Sequence, residues 1–230
     1  MIAPSADSRP FFGRVHDSIR IHEMIGPALA DATEDEVEIP PHFSLQRRAQ
    51  FAAGRHCARQ ALHRLGVEQT QVGRDADGKP LWPQHVVGSI SHTDGHCIAA
   101  VAPQAALYSI GVDVEKRVAL SERTMRRLCT PAELERIRRL PADQAELAVL
   151  LHFSAKESLL KCVMQHSGVQ LACGDSALQL DWQRQRVEVE RLHDAERLLQ
   201  GNLVRGYFTV LPSHVMTCFV MHGLNTPALE

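Results

Sequence analysis

Several common features are missing from this chain, and each absence excludes a class of protein. No apolar run approaches the roughly 18 residues that cross a bilayer, and the N-terminus lacks the pattern of a signal peptide. We therefore expect a cytoplasmic protein without a transmembrane segment. Charges nearly cancel, with 25 Lys and Arg against 27 Asp and Glu. This balance argues against a general affinity for nucleic acid or membranes.

Cysteine pairs, aromatic clusters and hydrolase motifs are missing as well. The six cysteines include no C-x-x-C pair and mostly lie in apolar surroundings, which favours buried free thiols over disulfides or zinc ligands. Aromatic residues are 5% of the chain and too scattered to form a stacking platform for nucleic acid. No G-x-S-x-G elbow is present. Ser91 and His92 are neighbours on a predicted strand and point to opposite faces, which argues against a Ser/His dyad.

The chain shows a long predicted helix followed by short strands, and then repeats this order. The first helix covers residues 44–65 and ends at Gly66, and a hairpin turning at residues 93–96 follows it. A central helix begins at Ser154, where Glu157 completes a capping box. Four short alternating runs then predict an antiparallel sheet: residues 177–182, 186–190, 204–211 and 215–221.

These elements predict an α+β fold of two similar halves related by pseudo-two-fold symmetry. In each half a long helix packs on a small, mainly antiparallel sheet. We place the N-terminal half at residues 1–106 and the C-terminal half at residues 107–230.

Only local features can be predicted for the remaining segments. Residues 13–21 give a weak strand signal, residues 31–38 form an acidic run typical of an exposed loop, and residues 223–230 resemble a loose tail. Thr130 precedes Pro131 and Glu133 in a capping-box pattern, which predicts a short helix in a lid or partner-contacting segment.

A positive stripe lies on the first long helix. Arg48, Arg55 and Arg59 fall within about 40° of one another on a helical wheel. Arginine donates in a planar, bidentate fashion that suits a phosphate, although a solvated basic face explains the same stripe. Gly54 in this helix indicates a close backbone approach. Lys79 follows a turn glycine and is either an anion contact or an ordinary turn lysine.

Two acids lie side by side on a predicted strand at residues 109–117. With a period of two, Asp113 and Glu115 share a face with Gly111, and apolar residues take the other face. Adjacent carboxylates repel each other unless a cation lies between them, and oxygen ligands suit Mg²⁺. Gly111 leaves room on that face for something bulky. A half-exposed strand with a solvated acidic face remains the alternative.

The central helix places charges on or beside its apolar arc. Lys156 lies within that arc, and Glu157 and Lys161 lie at its edge, four residues apart. Buried charges need partners. Either these side chains form a site, or Glu157 and Lys161 form an ordinary helix pair worth about 0.3–0.5 kcal/mol.

Four motifs in order make the chain resemble the 4′-phosphopantetheinyl transferases, in particular the single-chain, two-halved type of the surfactin and enterobactin pathways. The resemblance covers roughly residues 44–165, and the segment GRHCARQAL at residues 54–62 is also similar to bacterial members. The four motifs are GKPLWP at residues 78–83, GSISH at 88–92, IGVDVE at 110–115 and FSAKESLLK at 153–161.

The resemblance implies a reaction in which a serine of an apo carrier protein takes the phosphopantetheine arm of coenzyme A and adenosine 3′,5′-bisphosphate leaves. It implies Mg²⁺ held by Asp113, Glu115 and Glu157, with Glu157 and Lys161 catalytic. Coenzyme A would be bound by a larger set, in which Lys156 would contact the phosphates or lock the carboxylates in place: Arg48, Arg55, Lys79, Ser91, His92 and Lys156. Carrier proteins of fatty-acid, polyketide or nonribosomal peptide synthesis would be the partners of a monomeric enzyme.

Two other functions remain open from the residues alone. A metal-dependent phosphohydrolase would use the same carboxylates with water as the nucleophile. A non-catalytic nucleotide-binding module would use the arginine stripe for an anion and keep the acids as structural residues. A nucleic-acid-binding module is less compatible with the charge balance and the scattered aromatics.

Overall fold

Two long helices organise the fold, and each lies on its own sheet. The computed structural model describes residues 9–26, 39, 42–76, 78–169 and 171–223. Its helices are α1 (Arg9–Val15), α2 (Leu45–Leu65), α3 (Glu122–Leu128), α4 (Pro131–Arg138), α5 (Ala142–Ser167) and α6 (Ala195–Leu199). Its strands are β1 (Arg20–Ile25), β2 (Gly73–Arg74), β3 (Pro80–Leu81), β4 (Val86–Thr93), β5 (His96–Pro103), β6 (Ser109–Lys116), β7 (Ser176–Asp181), β8 (Arg186–Leu192), β9 (Leu203–Val210) and β10 (His214–His222).

The sheets confirm the α+β class. The first main sheet has the order β1-β5-β4 and the second the order β6-β10-β9-β8-β7, with every pair antiparallel. The predicted hairpin is the β4–β5 pair, and the four runs of the second half are β7 to β10 within a few residues. The described part of the chain has no helix long and apolar enough to cross a membrane. All six cysteines are free, as predicted.

Helix α2 has the boundaries that its sequence predicts. The Ser44 hydroxyl accepts a hydrogen bond from the Arg47 backbone N–H at 3.3 Å, and Gly66 ends the helix with a φ of 82°. Its alanines and Leu62 pack on β5 and its neighbours. A Cβ on Gly54 would lie 3.0 Å from the Ile90 side chain, which confirms the close approach.

The predicted start of the central helix is wrong. Helix α5 begins at Ala142, directly after Pro141, and runs for 26 residues to Ser167, with Gly168 as its C-cap, so Ser154 is an interior residue. The Ser154 hydroxyl is buried and contacts the Thr217 hydroxyl at 2.9 Å instead of capping a helix. The S-x-x-E pattern identifies a helix start only where the helix has not already begun.

Helix α5 lies directly against β6. A Cβ on Gly111 would collide with the Ser158 carbonyl oxygen and would lie 2.6 Å from the Cys162 backbone nitrogen. The bulky neighbour expected beside Gly111 is therefore the helix itself. This contact brings the charged side of α5 against the acidic face of β6.

The two sheets meet where β4 lies beside β6, a contact that we call the seam. Hydroxyls of β4 accept hydrogen bonds from backbone N–H groups of β6 across it. The pairs are Ser89 with Val112 at 3.0 Å, Ser91 with Val114 at 3.4 Å and Thr93 with Lys116 at 3.4 Å. Side chains thus take the place of a backbone ladder between the halves.

The flanking predictions have mixed outcomes. The strand signal at residues 13–21 is wrong over its first part, since α1 extends to Val15 and β1 begins at Arg20. The Thr130 capping box is confirmed at the start of α4. The acidic run at residues 31–38 and the tail after Gly223 lie outside the described residues. The division at residues 106 and 107 stays a prediction.

Candidate functional site

Asp113 lies at the centre of a hydrogen-bond network beside the seam. Its Oδ1 accepts from the Ser91 hydroxyl at 2.8 Å and from Lys161 Nζ at 2.7 Å. The side chain is only 5% exposed, and its Oδ2 is buried without a hydrogen-bond partner in the described part of the chain. A buried carboxylate oxygen without a partner is costly, and a bound cation would satisfy it.

The pKa of Glu115 is affected by the other two predicted metal ligands, Asp113 and Glu157. Burial, together with the charges of Asp113 and Glu157, raises the pKa of Glu115 to about 7, and Lys161 opposes this rise. The three acids therefore share one electrostatic environment, on β6 and on the facing side of α5. A divalent cation would remove the repulsion that this environment imposes.

The acids are close but are not arranged as a finished metal cage. Among the described residues, no three His, Cys, Asp or Glu side chains are grouped so that they could hold a metal ion. Glu157 Oε1 faces the Cys173 thiol at 3.7 Å. The donor set and the unpartnered Oδ2 of Asp113 fit a hard divalent cation, so a magnesium site at these residues stays a proposal.

Lys161 is engaged by the protein in this structure. Its Nζ donates to Asp113, to the Ser91 hydroxyl at 3.1 Å and to the Val112 carbonyl at 3.1 Å. These three contacts use its three donors. The structure therefore favours a role in holding Asp113 over the catalytic role that the resemblance implies for Lys161.

A cationic cleft lies on the other side of β4. It has a volume of about 260 Å³ and is formed by α2, β4 and the turn before β3. Three guanidinium groups surround it, those of Arg47, Arg55 and Arg74, and two phenylalanines add aromatic surface. The Arg55 guanidinium lies 4.6 Å from the Phe51 ring centroid, and Arg47 and Arg74 lie 5.5 and 5.8 Å from that of Phe43.

Arg55 is the buried cation of this cleft. Burial and the charge of Arg74 lower its pKa to about 10, so it is still protonated at neutral pH. One Nη donates to the Gly73 carbonyl at 3.1 Å, while the buried Nε has no partner among the described residues. An anion in the cleft would satisfy this donor and offset the repulsion between Arg55 and Arg74.

His92 connects the cleft to the acids. Its Nε2 lies 2.7 Å from Arg47 Nη1, so this nitrogen must accept the hydrogen bond and the ring must be neutral. Burial and the charges of Arg47 and Lys161 lower the pKa of His92 to about 4. His92 thus lies between the arginines and the Lys161–Asp113 pair, as a continuous site requires.

Some predicted ligand contacts are not formed as expected. Ser91 is 5% exposed, and its hydroxyl is used by Asp113 and Lys161, so it supports the acid instead of facing the cleft. Arg47, and not Arg48, lines the cleft. Lys79 lies on the turn between Gly78 and Pro80, both of which line the cleft, but its own side chain does not.

The contacts of Lys156 do not favour the predicted binding of coenzyme A by this residue. Its side chain is completely buried, and Nζ donates to Glu133 Oε2 at 2.9 Å and to the carbonyls of Leu128 at 2.7 Å and Ser176 at 3.0 Å. No donor remains for a phosphate. Lys156 instead joins α5 to α4 and to the start of β7.

The predicted site residues do not include four residues of the cleft: Arg47, Arg74, Phe43 and Phe51. The spacing of Arg47, Phe51 and Arg55 at four-residue steps marks one helix face and was available in the sequence. Arg74 and Phe43 lie in irregular or very short segments, whose position depends on tertiary contacts, so no periodic pattern identifies them.

Fold and site together define a protein in which a cationic, aromatic cleft adjoins buried acids across a seam. A family profile of the 4′-phosphopantetheinyl transferase N-terminal domain matches residues 38–102, and one of the 4′-phosphopantetheinyl transferase superfamily matches residues 109–217. The chain belongs to the 4′-phosphopantetheinyl transferase superfamily, which confirms the resemblance that the motifs carry.

Individual relatives agree with this assignment. The 4′-phosphopantetheinyl transferase Npt of Nocardia iowensis is 40% identical over 116 residues, which are 50% of this chain and 51% of that protein. Svp of Streptomyces mobaraensis is 34% identical over 67% of this chain and 66% of its own length. Enterobactin synthase component D of Escherichia coli (strain K12) is 35% identical over 65% of this chain and 69% of its own length. The match thus spans about half of the Nocardia protein.

Proposed function

We propose that this protein transfers the 4′-phosphopantetheine arm of coenzyme A to a serine of an apo carrier protein and releases adenosine 3′,5′-bisphosphate. The observation that carries the proposal is that neighbouring residues of β4 connect the two parts of the site: His92 lines the arginine cleft and contacts Arg47, and Ser91 donates a hydrogen bond to Asp113. Coenzyme A has the matching order of groups, since its 3′-phosphoadenosine is linked through a pyrophosphate to the arm that is transferred.

The cleft would bind the nucleotide end. Arg55 carries a buried positive charge, and its Nε has no partner in the described part of the chain, which suits a phosphate; Phe43 and Phe51 offer apolar rings to the adenine. Arg47 and Arg74 complete the positive rim. His92 stays neutral at physiological pH, so it would orient the pyrophosphate as a hydrogen-bond donor from Nδ1 while Nε2 accepts from Arg47.

The acids would act at the pyrophosphate. Asp113, Glu115 and Glu157 would hold Mg²⁺, which supplies charge neutralisation to a phosphoryl transfer that otherwise depends on positioning. Glu157 takes the proton of the carrier serine, directly or through a water molecule. The serine oxygen then forms a bond to the β-phosphorus, and the bond from this phosphorus to the bridging oxygen breaks. Lys161 and Ser91 keep Asp113 in place throughout.

Transfer to a carrier protein is the direct test. The protein is incubated with coenzyme A, Mg²⁺ and several apo carrier proteins, and intact masses are measured. We expect a gain of one phosphopantetheine arm on at least one carrier. The matched control is the same carrier with its acceptor serine changed to alanine, which must not gain mass.

Two outcomes would refute the proposal. Release of phosphate from coenzyme A without any carrier would indicate a phosphohydrolase. Tight binding of coenzyme A without transfer to any carrier, unchanged in the Glu157→Gln variant and independent of Mg²⁺, would indicate a binding module.

A further inference from the structure

A second pocket lies between α1 and the second sheet, and it shares no lining residue with the cationic cleft. It has a volume of about 310 Å³, and its described lining includes Arg14, Arg184 and Arg186, with Asp17 as the acid. Tyr207 and Gln185, each 8% exposed, form its buried floor. We call this the arginine pocket. The proposed transfer reaction uses none of these residues.

Two of its arginines are held in place by neutral groups. Arg14 Nη1 donates to the Gln185 side-chain carbonyl at 2.7 Å. The Arg186 guanidinium lies 5.9 Å from the ring centroid of Tyr207. Neither has a carboxylate partner within 4.0 Å among the described residues, whereas Arg184 pairs with Asp181 at 3.0 Å. Holding a guanidinium without neutralising it preserves its attraction for an anion.

The backbone fixes the two arginines relative to each other. Gln185 adopts a φ of 52°, a left-handed conformation that is uncommon for a residue with a side chain. Its carbonyl accepts from the Phe208 backbone N–H at 3.0 Å, and its side chain reaches Arg14. The turn before β8 is therefore bonded both to β9 and to α1.

We propose that the arginine pocket binds a small oxyanion, either a phosphate or a carboxylate compound, between Arg14 and Arg186. The pocket has the size of a small-molecule site, an aromatic floor and a net positive lining. Guanidinium groups form bidentate hydrogen bonds to both kinds of oxyanion. A bound anion would link α1 at the start of the described chain to the sheet of the C-terminal half.

Hydrogen–deuterium exchange locates such binding. Exchange is measured with increasing inorganic phosphate, with citrate as the carboxylate probe and with sodium chloride at matched ionic strength. We expect saturable protection of peptides covering residues 9–17 and 181–187 with phosphate or citrate and none with chloride. The probe that protects at the lower concentration shows whether the pocket prefers a phosphate or a carboxylate compound.

Substitutions with equal loss of charge distinguish a site from general attraction. Arg14→Gln and Arg186→Gln should each raise the probe concentration that gives half-maximal protection roughly tenfold or more. Arg191→Gln, at an exposed position of the same strand as Arg186 and outside the pocket, should leave it unchanged. Circular dichroism of each variant confirms that it is folded.

The proposal is overturned by any of three results. The first is an absence of protection with both probes, and the second is an equal fall in protection in all three variants. Protection confined to residues 43–55 would place the anion in the nucleotide cleft instead. Each of these results leaves the proposed transfer reaction unaffected, because that reaction does not use the arginine pocket.

Discussion

At the scale of single residues, the neighbours of a side chain decide its role more than its type does. Ser91 and Ser89 lie two residues apart on β4, and both accept hydrogen bonds from β6. Of the two, Ser91 also donates to Asp113 Oδ1, and the Oδ2 of that acid has no partner among the described residues. The two serines therefore form a matched pair for testing whether Asp113 must be held in place.

Ser91→Ala should lower the rate of transfer roughly 10- to 100-fold, as expected when a group that orients a metal ligand is removed. Ser89→Ala should leave the rate close to that of the unmodified protein. Ser89→Ala should cost about 1 kcal/mol of unfolding free energy, because it removes one hydrogen bond across the seam, and Ser91→Ala should cost more, because it also removes the bonds to Asp113 and Lys161. Transfer kinetics and urea denaturation measure the two effects, and equal rate losses in both variants would contradict the assignment.

Glu115 predicts a pH effect in the metal-free protein. Its pKa is about 7 when folded and near 4.5 in the unfolded chain, so folding favours the protonated acid. That contribution to stability is fully present below about pH 4.5 and is lost as the pH rises through about 7. Relative to wild type, Glu115→Gln should therefore become increasingly stabilising between pH 5 and pH 8.

Denaturation by urea in the presence of a chelator measures this difference at each pH. Glu188→Gln, which changes an exposed acid on β8, should show no such pH dependence. A stability difference for Glu115→Gln that does not change with pH would show that Glu115 titrates normally.

At the scale of secondary structure, the sequence predicts what local chemistry determines. Helix α2 has its predicted boundaries because Ser44 and Gly66 are strong local signals, and α4 begins at its predicted cap. Helix α5 begins earlier than predicted, because the capping pattern at Ser154 lies inside a longer helix. The partner of Lys156 could not be predicted, since Glu133 lies on another helix and nothing local links the two.

Lys156→Ala tests whether this lysine is structural. Removing it leaves Glu133 buried without its counter-ion, which should cost about 3–5 kcal/mol of unfolding free energy. In protein that remains folded at low temperature, the KM for coenzyme A should stay within about twofold of wild type. Denaturation with guanidinium chloride and transfer kinetics provide the two measurements.

The double variant Lys156→Met with Glu133→Gln is the control, because it removes both charges and should recover part of the stability. A stable Lys156→Ala protein that binds coenzyme A poorly would contradict the structural role of Lys156. It would instead support the predicted contact of Lys156 with coenzyme A.

At the scale of the whole molecule, the site exists because two halves meet. The fold class, the strand carrying the acids and the helix carrying Glu157 could be predicted from periodicity and motifs. The seam could not, because it depends on hydroxyls of β4 reaching backbone N–H groups of β6. The seam also determines that Ser91 faces the acids while His92 faces the cleft.

The central claim is that acids from β6 and α5 share one divalent cation, and calorimetric titration of Mg²⁺ in the presence of coenzyme A tests it most directly. We expect one Mg²⁺ per chain. Asp113→Asn, Glu115→Gln and Glu157→Gln should each weaken the affinity roughly tenfold or more, and Glu188→Gln should not. A wild-type affinity in the three site variants would contradict the account.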